Sequence, residues 1–452
     1  MRHRHLLGVT TILILGAVVR AVAIGSRLHI DDAYSWYVAT SPSWHELLRR
    51  LAANENSPPL FYLALGLVPG DGPGLLRIPA AVPGLLMSLV LYLALRRRLG
   101  EPVALASALV VAVAPFLITY SDLARGFMLA DLALLVAMWG LLCARGTRSK
   151  APWVTFVLAG AIACYTEYDS AIVVVAMAIA AIAIAGWQRW RVAAAAALVL
   201  GSMLPWIPEI VRAQDQVGKT KLSPMFAAPS VTGLRDLVVT LLFGENGGTT
   251  SAVGRWALFA VVWAAIVVLA AVARRRWEMI GASRAPAILL LTITAAVTLI
   301  GYAAAAAVGI DVFTQRYLTI LVALAAPPAL AVIAELGWRP ALAVVAIALV
   351  GLGCVEIAKR NQAQYEPSFA PVAAAAAAVS PRSVLTNTPI VLYYLRGRHP
   401  RFDRPYNLGA GLGATCQRPC LIIDDTRVHG GTPRPPTGTP TLIGPYSLTL
   451  EK

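Results

Sequence analysis

The chain has 452 residues, 58% of them hydrophobic and 13% charged, against roughly 45–50% and about 25% in an ordinary soluble domain. That balance excludes a water-soluble globular enzyme, and it excludes disorder, because a chain this apolar can bury itself. Lys and Arg number 38 against 23 Asp and Glu, a net charge of +15, which in a soluble protein would suggest nucleic acid; here the placement of the charges says otherwise, and no nucleic-acid partner is expected.

Met-Arg-His-Arg-His precedes an apolar run from Leu6 to about Ile24. The pattern fits a signal peptide, with Ala21-Val22-Ala23 as a cleavage site, or a first membrane helix. Arg20 is expected to snorkel to the outer interface, which favours an uncleaved helix. Further apolar runs lie at about 75–95, 103–120, 126–143, 152–166, 171–187, 192–210, 256–273, 286–308, 317–336 and 340–358, each near the length that crosses a bilayer. The expectation is an all-α polytopic protein of eleven spans. Alternate connections carry Arg96-Arg97-Arg98, then Arg145, Arg148 and Lys150, then Arg189 and Arg191, then Arg274-Arg275-Arg276 with Arg284, and finally Arg339. Short Arg-dense loops are cytoplasmic by the positive-inside rule. The N-terminus is then cytoplasmic, the C-terminal tail extracytoplasmic, and the host bilayer the plasma (inner) membrane.

Most acids fall on the outer face, where two connections, 25–74 and 211–255, are long enough to be functional. In the first, Ser43-Trp44-His45-Glu46 is a capping-box pattern followed by Leu47, Leu48 and Leu51 on one face, which predicts an interfacial amphipathic helix. In the second, Leu234, Leu237, Val238, Leu241 and Leu242 follow Ser230 at similar spacing. A spanning domain over 1–358 is therefore expected to precede a small extracytoplasmic α/β domain over 359–452. In that tail Ala373 to Val379 reads as the end of a helix, and Ser383–Thr386, Leu421–Ile423 and Thr441–Leu450 read as strands. Of five cysteines, Cys143, Cys164 and Cys354 lie in apolar runs as small packing residues, whereas Cys416 and Cys420 are candidates for a loop-closing disulfide.

Chemistry concentrates in five outer segments. His29-Ile30-Asp31-Asp32-Ala33-Tyr34 follows the first span, and adjacent carboxylates at a membrane interface are costly unless solvated, paired or used. Asn54-Glu55-Asn56-Ser57-Pro58-Pro59, Tyr120-Ser121-Asp122-Leu123-Ala124-Arg125, Tyr165-Thr166-Glu167-Tyr168-Asp169 and Phe313-Thr314-Gln315-Arg316-Tyr317 are the others. Their common face points to one outer site, with Tyr34, Glu55, Asp122, Glu167 and Tyr317 as substrate-binding candidates. Asp131, in a span, serves either helix packing or that cavity. No cofactor is expected to be required; a divalent cation such as Mg2+ is open, but no second ligand cluster indicates it and no metal-binding residues are assigned.

The order Asp-Asp-Ala-Tyr, Ser-Pro-Pro-Leu-Phe-Tyr, Leu-Leu-Arg-Ile-Pro, Tyr-Ser-Asp-Leu-Ala-Arg-Gly-Phe, Leu-Pro-Trp-Ile-Pro and Gln-Arg-Tyr-Leu resembles the polyprenyl-phosphate-sugar-dependent glycosyltransferases of the GT-C superfamily. The nearest group is family 39, with protein O-mannosyltransferases and the aminoarabinose transferases that modify lipid A. The resemblance covers about residues 1–340. It implies that Asp31 is the catalytic acid of the first outer loop, with Asp32 where the family usually has Glu. It also implies that Arg316 contacts donor phosphate. Glu55 matches the family acid before the prolines only if the register shifts.

Elementary chemistry agrees with what the resemblance implies. An acceptor hydroxyl attacking a sugar C1 needs a base in reach, and one ionised Asp suffices for a single displacement with inversion. A polyprenyl phosphate leaves as a stable anion and needs positive charge rather than an acid, which Arg125 or Arg316 supplies. The expectation is an inverting hexosyl- or pentosyltransferase moving a sugar from a polyprenyl-phosphate donor to a glycan, lipid or protein acceptor at the outer face. The alternative is a polytopic transporter or lipid-linked sugar flippase, against which stand the outer placement of charge and the lack of a repeat.

Overall fold

The computed structural model describes residues 2–24, 28–55, 57–70, 72–184, 186, 188–212, 230–243, 255–256, 259–260, 267, 283–308, 310 and 315–335, together with positions 372, 374–375, 378 and 393 and strands at 383–386, 420–425, 441–443 and 446–451. Lipid offers the backbone no hydrogen-bond partner, so the apolar runs pair their own N–H and C=O groups as helices. After α1 (Arg2–Ile24) come four short helices, α2 (Ile30–Ala39), α3 (Trp44–Asn54), α4 (Leu60–Gly66) and α5 (Pro73–Leu76). The bundle continues with α6 (Ile78–Leu95), α7 (Glu101–Val113), α8 (Pro115–Ser121), α9 (Phe127–Ala144), α10 (Ala151–Thr166), α11 (Ser170–Ala183) and α12 (Arg189–Ser202). It closes with α13 (Val231–Phe243), α14 (Ala285–Ala307) and α15 (Ile320–Glu335).

Among the described residues five helical segments are long and apolar enough to cross a bilayer: Leu6–Ile24, α6, α9, Arg189–Arg212 and α14. The bent pair α7 and α8 makes a sixth if taken as one span, and α10, α11 and α15 are apolar but shorter. The protein is thus a mostly helical, multi-pass membrane protein. The expected spans at 256–273 and 340–358 lie outside the described residues, apart from isolated helical positions such as Trp256 and Val267.

The run expected to cross once at 103–120 is broken. Pro115 has no N–H and disfavours helical ψ at the residue before it, and Ala114 accordingly adopts φ −58°, ψ 122°, bending α8 from α7 by 53°. The break leaves the Ala112 carbonyl without its helical partner, and Arg20 fills the vacancy. Its Nη1 donates to Ala112 O at 2.7 Å, its Nη2 to Gly84 O at 3.0 Å and its Nε to Ser121 Oγ at 3.1 Å. Arg20 is 3% exposed, so it does not snorkel outward as its position suggests. Polar acceptors inside the bundle outcompete the interface. The approach requires glycine at Gly84, where a Cβ would lie 2.3 Å from Ser121 Oγ.

The connection 25–74 holds α2, α3, α4 and the start of α5, with α3 where the amphipathic helix was expected. Ser43 caps α3 through Glu46 N at 3.2 Å, Leu47 and Leu51 are buried, and Trp44 remains exposed. This matches the amphipathic pattern. The helix expected after Ser230 is α13, whose Gly233 N–H donates to Ser230 Oγ at 3.0 Å.

The C-terminal strands β1 (Ser383–Thr386), β2 (Cys420–Asp425), β3 (Thr441–Ile443) and β4 (Tyr446–Glu451) form a sheet in the order β1-β2-β4-β3. β1 and β2 are parallel and the other pairs antiparallel. The single strand expected over Thr441–Leu450 is two, with Ile443 opposite Tyr446; Gly444-Pro445 between them is a turn signal in the sequence. Val372, Tyr393, Leu421, Ile423 and Leu448 share one apolar cluster with Leu28, Ala33, Val38, Leu47 and Leu51. Trp36 of α2 meets Tyr393 edge-on at 5.4 Å between centroids. Of the cysteines, Cys164 is buried as expected, whereas Cys143, near the end of α9, is exposed. Cys354 and Cys416 lie outside the described residues, and Cys420 opens β2.

Candidate active site

The two adjacent carboxylates sit in the first turn of α2, where acids suit the helix dipole. His29 is the N-cap: its Nδ1 accepts from Asp31 N at 3.2 Å, and its own N–H donates to Asp32 Oδ2 at 2.9 Å. One residue along a helix turns the side chain by about 100°, and the two acids face different surroundings. Asp32 is fully buried. Its Oδ2 also accepts from Arg77 Nη2 at 2.7 Å and Nε at 3.1 Å, and its Oδ1 from Ala124 N at 2.7 Å. Arg77, 1% exposed, donates from Nη1 to Asp122 Oδ1 at 2.9 Å. Asp32, Arg77 and Asp122 thereby tie α2, the head of α6 and the end of α8 together.

Asp31 keeps a side chain 20% exposed and accepts from Arg125 Nη2 at 2.8 Å. Burial acts to raise its carboxyl, but the positive charge of Arg125, with Arg316 adding to it, outweighs that and holds it well below the usual carboxylate range. The other arm of Arg125, Nη1, bonds Glu55 Oε2 and lies 3.4 Å from Tyr62 Oη. Burial raises the Glu55 carboxyl, with Arg125 opposing it, and Glu55 Oε1 is buried with no partner. Arg125 is therefore shared by the segment at the start of α2, the proline segment and its own.

Gly126 lets that turn approach the end of α10. A Cβ there would lie 2.7 Å from Glu167 Oε1 and 2.9 Å from Thr166 Cγ2. Glu167 accepts from Ser57 Oγ at 3.1 Å. Its carboxyl and that of Asp169 are both raised, first by burial, and the charge of Asp169 adds to the rise of Glu167. The Tyr302 hydroxyl donates to Asp169 Oδ2. Arg316 lies in the short turn Gln315–Leu318 ahead of α15 and makes no ion pair among the described residues. Tyr317 packs edge-on against Phe127 at 5.8 Å. Tyr34 is buried on α2 one turn beyond Asp31.

The structure thus brings Asp31, Glu55, Arg125 and Glu167 together, with Arg316 acting electrostatically on Asp31, and it places Asp32 and Asp122 in a buried anchor. Among the described residues no group of three or more His, Cys, Asp or Glu is arranged to hold a metal ion. Cys416 lies outside the described residues, so its pairing with Cys420 has no structural account.

Two solved structures share this architecture. ArnT from Cupriavidus metallidurans bound to undecaprenyl phosphate superposes with a TM-score of 0.62 at 15% identity, over 98% of this chain and 97% of that one. The Archaeoglobus fulgidus oligosaccharyltransferase in complex with Zn and sulfate gives 0.54 at 13% identity, over 92% of this chain and 68% of that one. The chain has the GT-C fold. A third structure, archaeal AglB from Archaeoglobus fulgidus with an inhibitory peptide and a dolichol-phosphate, gives 0.50 at 13% identity over 79% of this chain and 56% of that one. A family model described as dolichyl-phosphate-mannose-protein mannosyltransferase matches residues 58–211, a stretch holding Arg77, Asp122, Arg125 and Glu167. A search of curated protein sequences returns no match.

Sequence reading assigned no role to Arg77, although it supplies the charge that neutralises two acids. Its signal is a lone Arg at the head of an apolar run, where a charge is costly unless paired. The Ser57 to Glu167 bond and the Tyr302 to Asp169 bond cross from one segment to another, and nothing in local spacing announces them.

Proposed function

We propose that this GT-C chain is an inverting glycosyltransferase that moves a sugar from a polyprenyl-phosphate donor to an acceptor at the outer face of the plasma membrane. In this reading eleven spans run from a cytoplasmic N-terminus, residues 1–358 form the catalytic membrane domain and residues 359–452 an extracytoplasmic α/β domain. The observation that carries it is the pairing of a partly open, ionised Asp31 with Arg125, beside an Arg316 that lacks an ion-pair partner among the described residues. A base and a cation for an anionic leaving group then stand at one site.

The acceptor hydroxyl donates its hydrogen bond to Asp31 and attacks C1 of the sugar from the side opposite the phosphate. The new C–O bond forms as the bond from C1 to the phosphate oxygen breaks, and the electron pair leaves on the polyprenyl phosphate. The hydroxyl proton passes to Asp31. Arg316 and Arg125 stabilise the charge that grows on the phosphate. Donor binding also tunes the base, since a phosphate competing for the Arg125 guanidinium weakens its hold on Asp31 and raises the basicity that Arg125 suppresses. A transporter reading would take the bent α7 and α8 as a midplane discontinuity of the kind transporters use. Here the freed Ala112 carbonyl is bonded by Arg20, which supports a fixed scaffold instead.

The test is transfer in proteoliposomes carrying the full chain, read as release of polyprenyl phosphate from a sugar-linked carrier. Asp31→Asn is expected to keep the folded protein and abolish release. Normal turnover by that variant removes Asp31 as the base, and transfer from a nucleotide sugar without lipid carrier removes the donor class.

A further inference from the structure

The turn that carries Arg316, Gln315–Leu318, stands at the head of α15 and is gripped by α9. Phe127 meets Tyr317 edge-on at 5.8 Å between centroids, and Asp131, one helical turn further along α9, bonds the Thr319 side chain. Residues four apart share a helix face, so one face of α9 holds the chain at Tyr317 and again at Thr319. Thr319 is 1% exposed, and its Oγ1 reaches back to the Arg316 carbonyl at 3.4 Å. The hold on Thr319 thus passes to the backbone of Arg316.

Asp131 has a second polar end. The residue stands in a span, is 4% exposed, and its Oδ2 is buried with no partner among the described residues. Buried polar groups ordinarily find hydrogen-bond partners, and a side chain that only packed helices at this position would be apolar. With Glu167, Asp169, Tyr302, Arg316 and Thr319, Asp131 lines a cavity of about 10 Å3. That is about the smallest space that takes one water, which needs polar groups around it. Burial raises the Glu167 and Asp169 carboxyls, so the wall is not a cluster of negative charges and does not call for a cation. A single small molecule that both donates and accepts suits a wall of carboxyl, phenol, hydroxyl and guanidinium groups.

We propose that Asp131 is a positioning residue for the donor phosphate: through Thr319, and through one water held in this cavity, it fixes the turn that aims Arg316. The proposal rests on the donor reading above, which uses Arg316 and gives Asp131 no role.

The test is a double-mutant cycle on binding of undecaprenyl phosphate to the purified full chain, with thermal unfolding in detergent run on each variant. Asp131→Leu keeps the bulk and removes both polar ends. It is expected to weaken binding several-fold, up to the roughly tenfold that loss of one charge-assisted contact costs. In an Arg316→Gln background the same change is expected to cost nothing further, because its effect reaches the ligand through Arg316. Asp131→Asn presents one polar atom to Thr319 and another to the water in either orientation, and is expected to retain most of the affinity. Thr319→Val, which removes the hydroxyl and keeps the shape, is expected to repeat the Asp131→Leu pattern, and it decides the matter if Asp131→Leu does not fold. Wild-type affinity in either folded variant overturns the proposal, as do losses that add in full to that of Arg316→Gln, or an Asp131→Asn protein as weak as Asp131→Leu. A high-resolution map without density for a water beside Asp131 overturns the water bridge. Failure of wild type to bind undecaprenyl phosphate, or full affinity in Arg316→Gln, overturns the donor reading instead.

Discussion

Asp31 and Asp32 are neighbours in sequence, and their surroundings predict opposite consequences for the same chemical change. Asp32→Asn replaces one carboxylate oxygen by an amide that cannot accept. Either orientation leaves a buried donor facing another donor, on the Arg77 and His29 side or on the Ala124 side, where the present bonds are 2.7–3.1 Å. The change also removes a charge that neutralises Arg77, itself 1% exposed. Breaking a buried pair by altering one partner costs about 3–5 kcal/mol. Asp31→Asn loses one bond from Arg125, which keeps Glu55, at a part-open position, so the expected cost is about 1 kcal/mol or less. Thermal unfolding of the purified variants in detergent, run beside transfer in proteoliposomes, separates the two. Asp32→Asn is expected to melt several degrees below wild type with transfer lost in step with folded protein. Asp31→Asn is expected to melt near wild type with no transfer. An Asp32→Asn protein of wild-type stability that fails in transfer would refute the anchoring role and move the base to Asp32.

Three further outcomes are expected. The acid limb of kcat/KM should lie below the ordinary aspartate value, because Asp31 stays ionised until the pH falls through its depressed pKa; Arg125→Gln, which removes the largest lowering charge, should shift that limb to higher pH in a pH–rate profile. Gly84→Ala should lower the melting temperature by driving a methyl into Ser121 Oγ, and Ser121→Ala added to it should recover part of the loss, since the remaining contact to Ser121 Cβ is 3.4 Å. Arg316→Gln should weaken binding of undecaprenyl phosphate by about tenfold or more, as expected for one charge-assisted contact, with Arg316→Lys intermediate because lysine keeps the charge and loses the fork.

Helical spans were legible because the need to pair the backbone in lipid leaves a long apolar run few other outcomes. The capping of α3 by Ser43 and the helix after Ser230 were legible for a local reason, since cap and helix lie within four residues. The break at Pro115 was also written locally, but within an otherwise apolar run it carried too little weight against the length of the run. Arg20 was misplaced because its partners are Gly84, Ala112 and Ser121, three groups far along the chain, and the interface rule considers only its own helix. At the site, the residue types and their common face were visible, whereas the division between Asp31 and Asp32 was not. That division depends on Arg77 and Ala124, and periodicity along α2 says only that the two acids diverge, not which one meets them.

The shared cluster that joins Leu28, Ala33 and Val38 to Leu421, Ile423 and Leu448 makes the C-terminal sheet part of the foundation under α2. The helix that presents Asp31 has its N-terminal turn fastened from below by Asp32 and its apolar side covered from above by residues some 340 to 420 positions later in the chain. Contacts so distant in sequence carry a loop-closure cost before burial rewards them. Asp31 is therefore carried on a helix whose packing draws on residues from both ends of the chain.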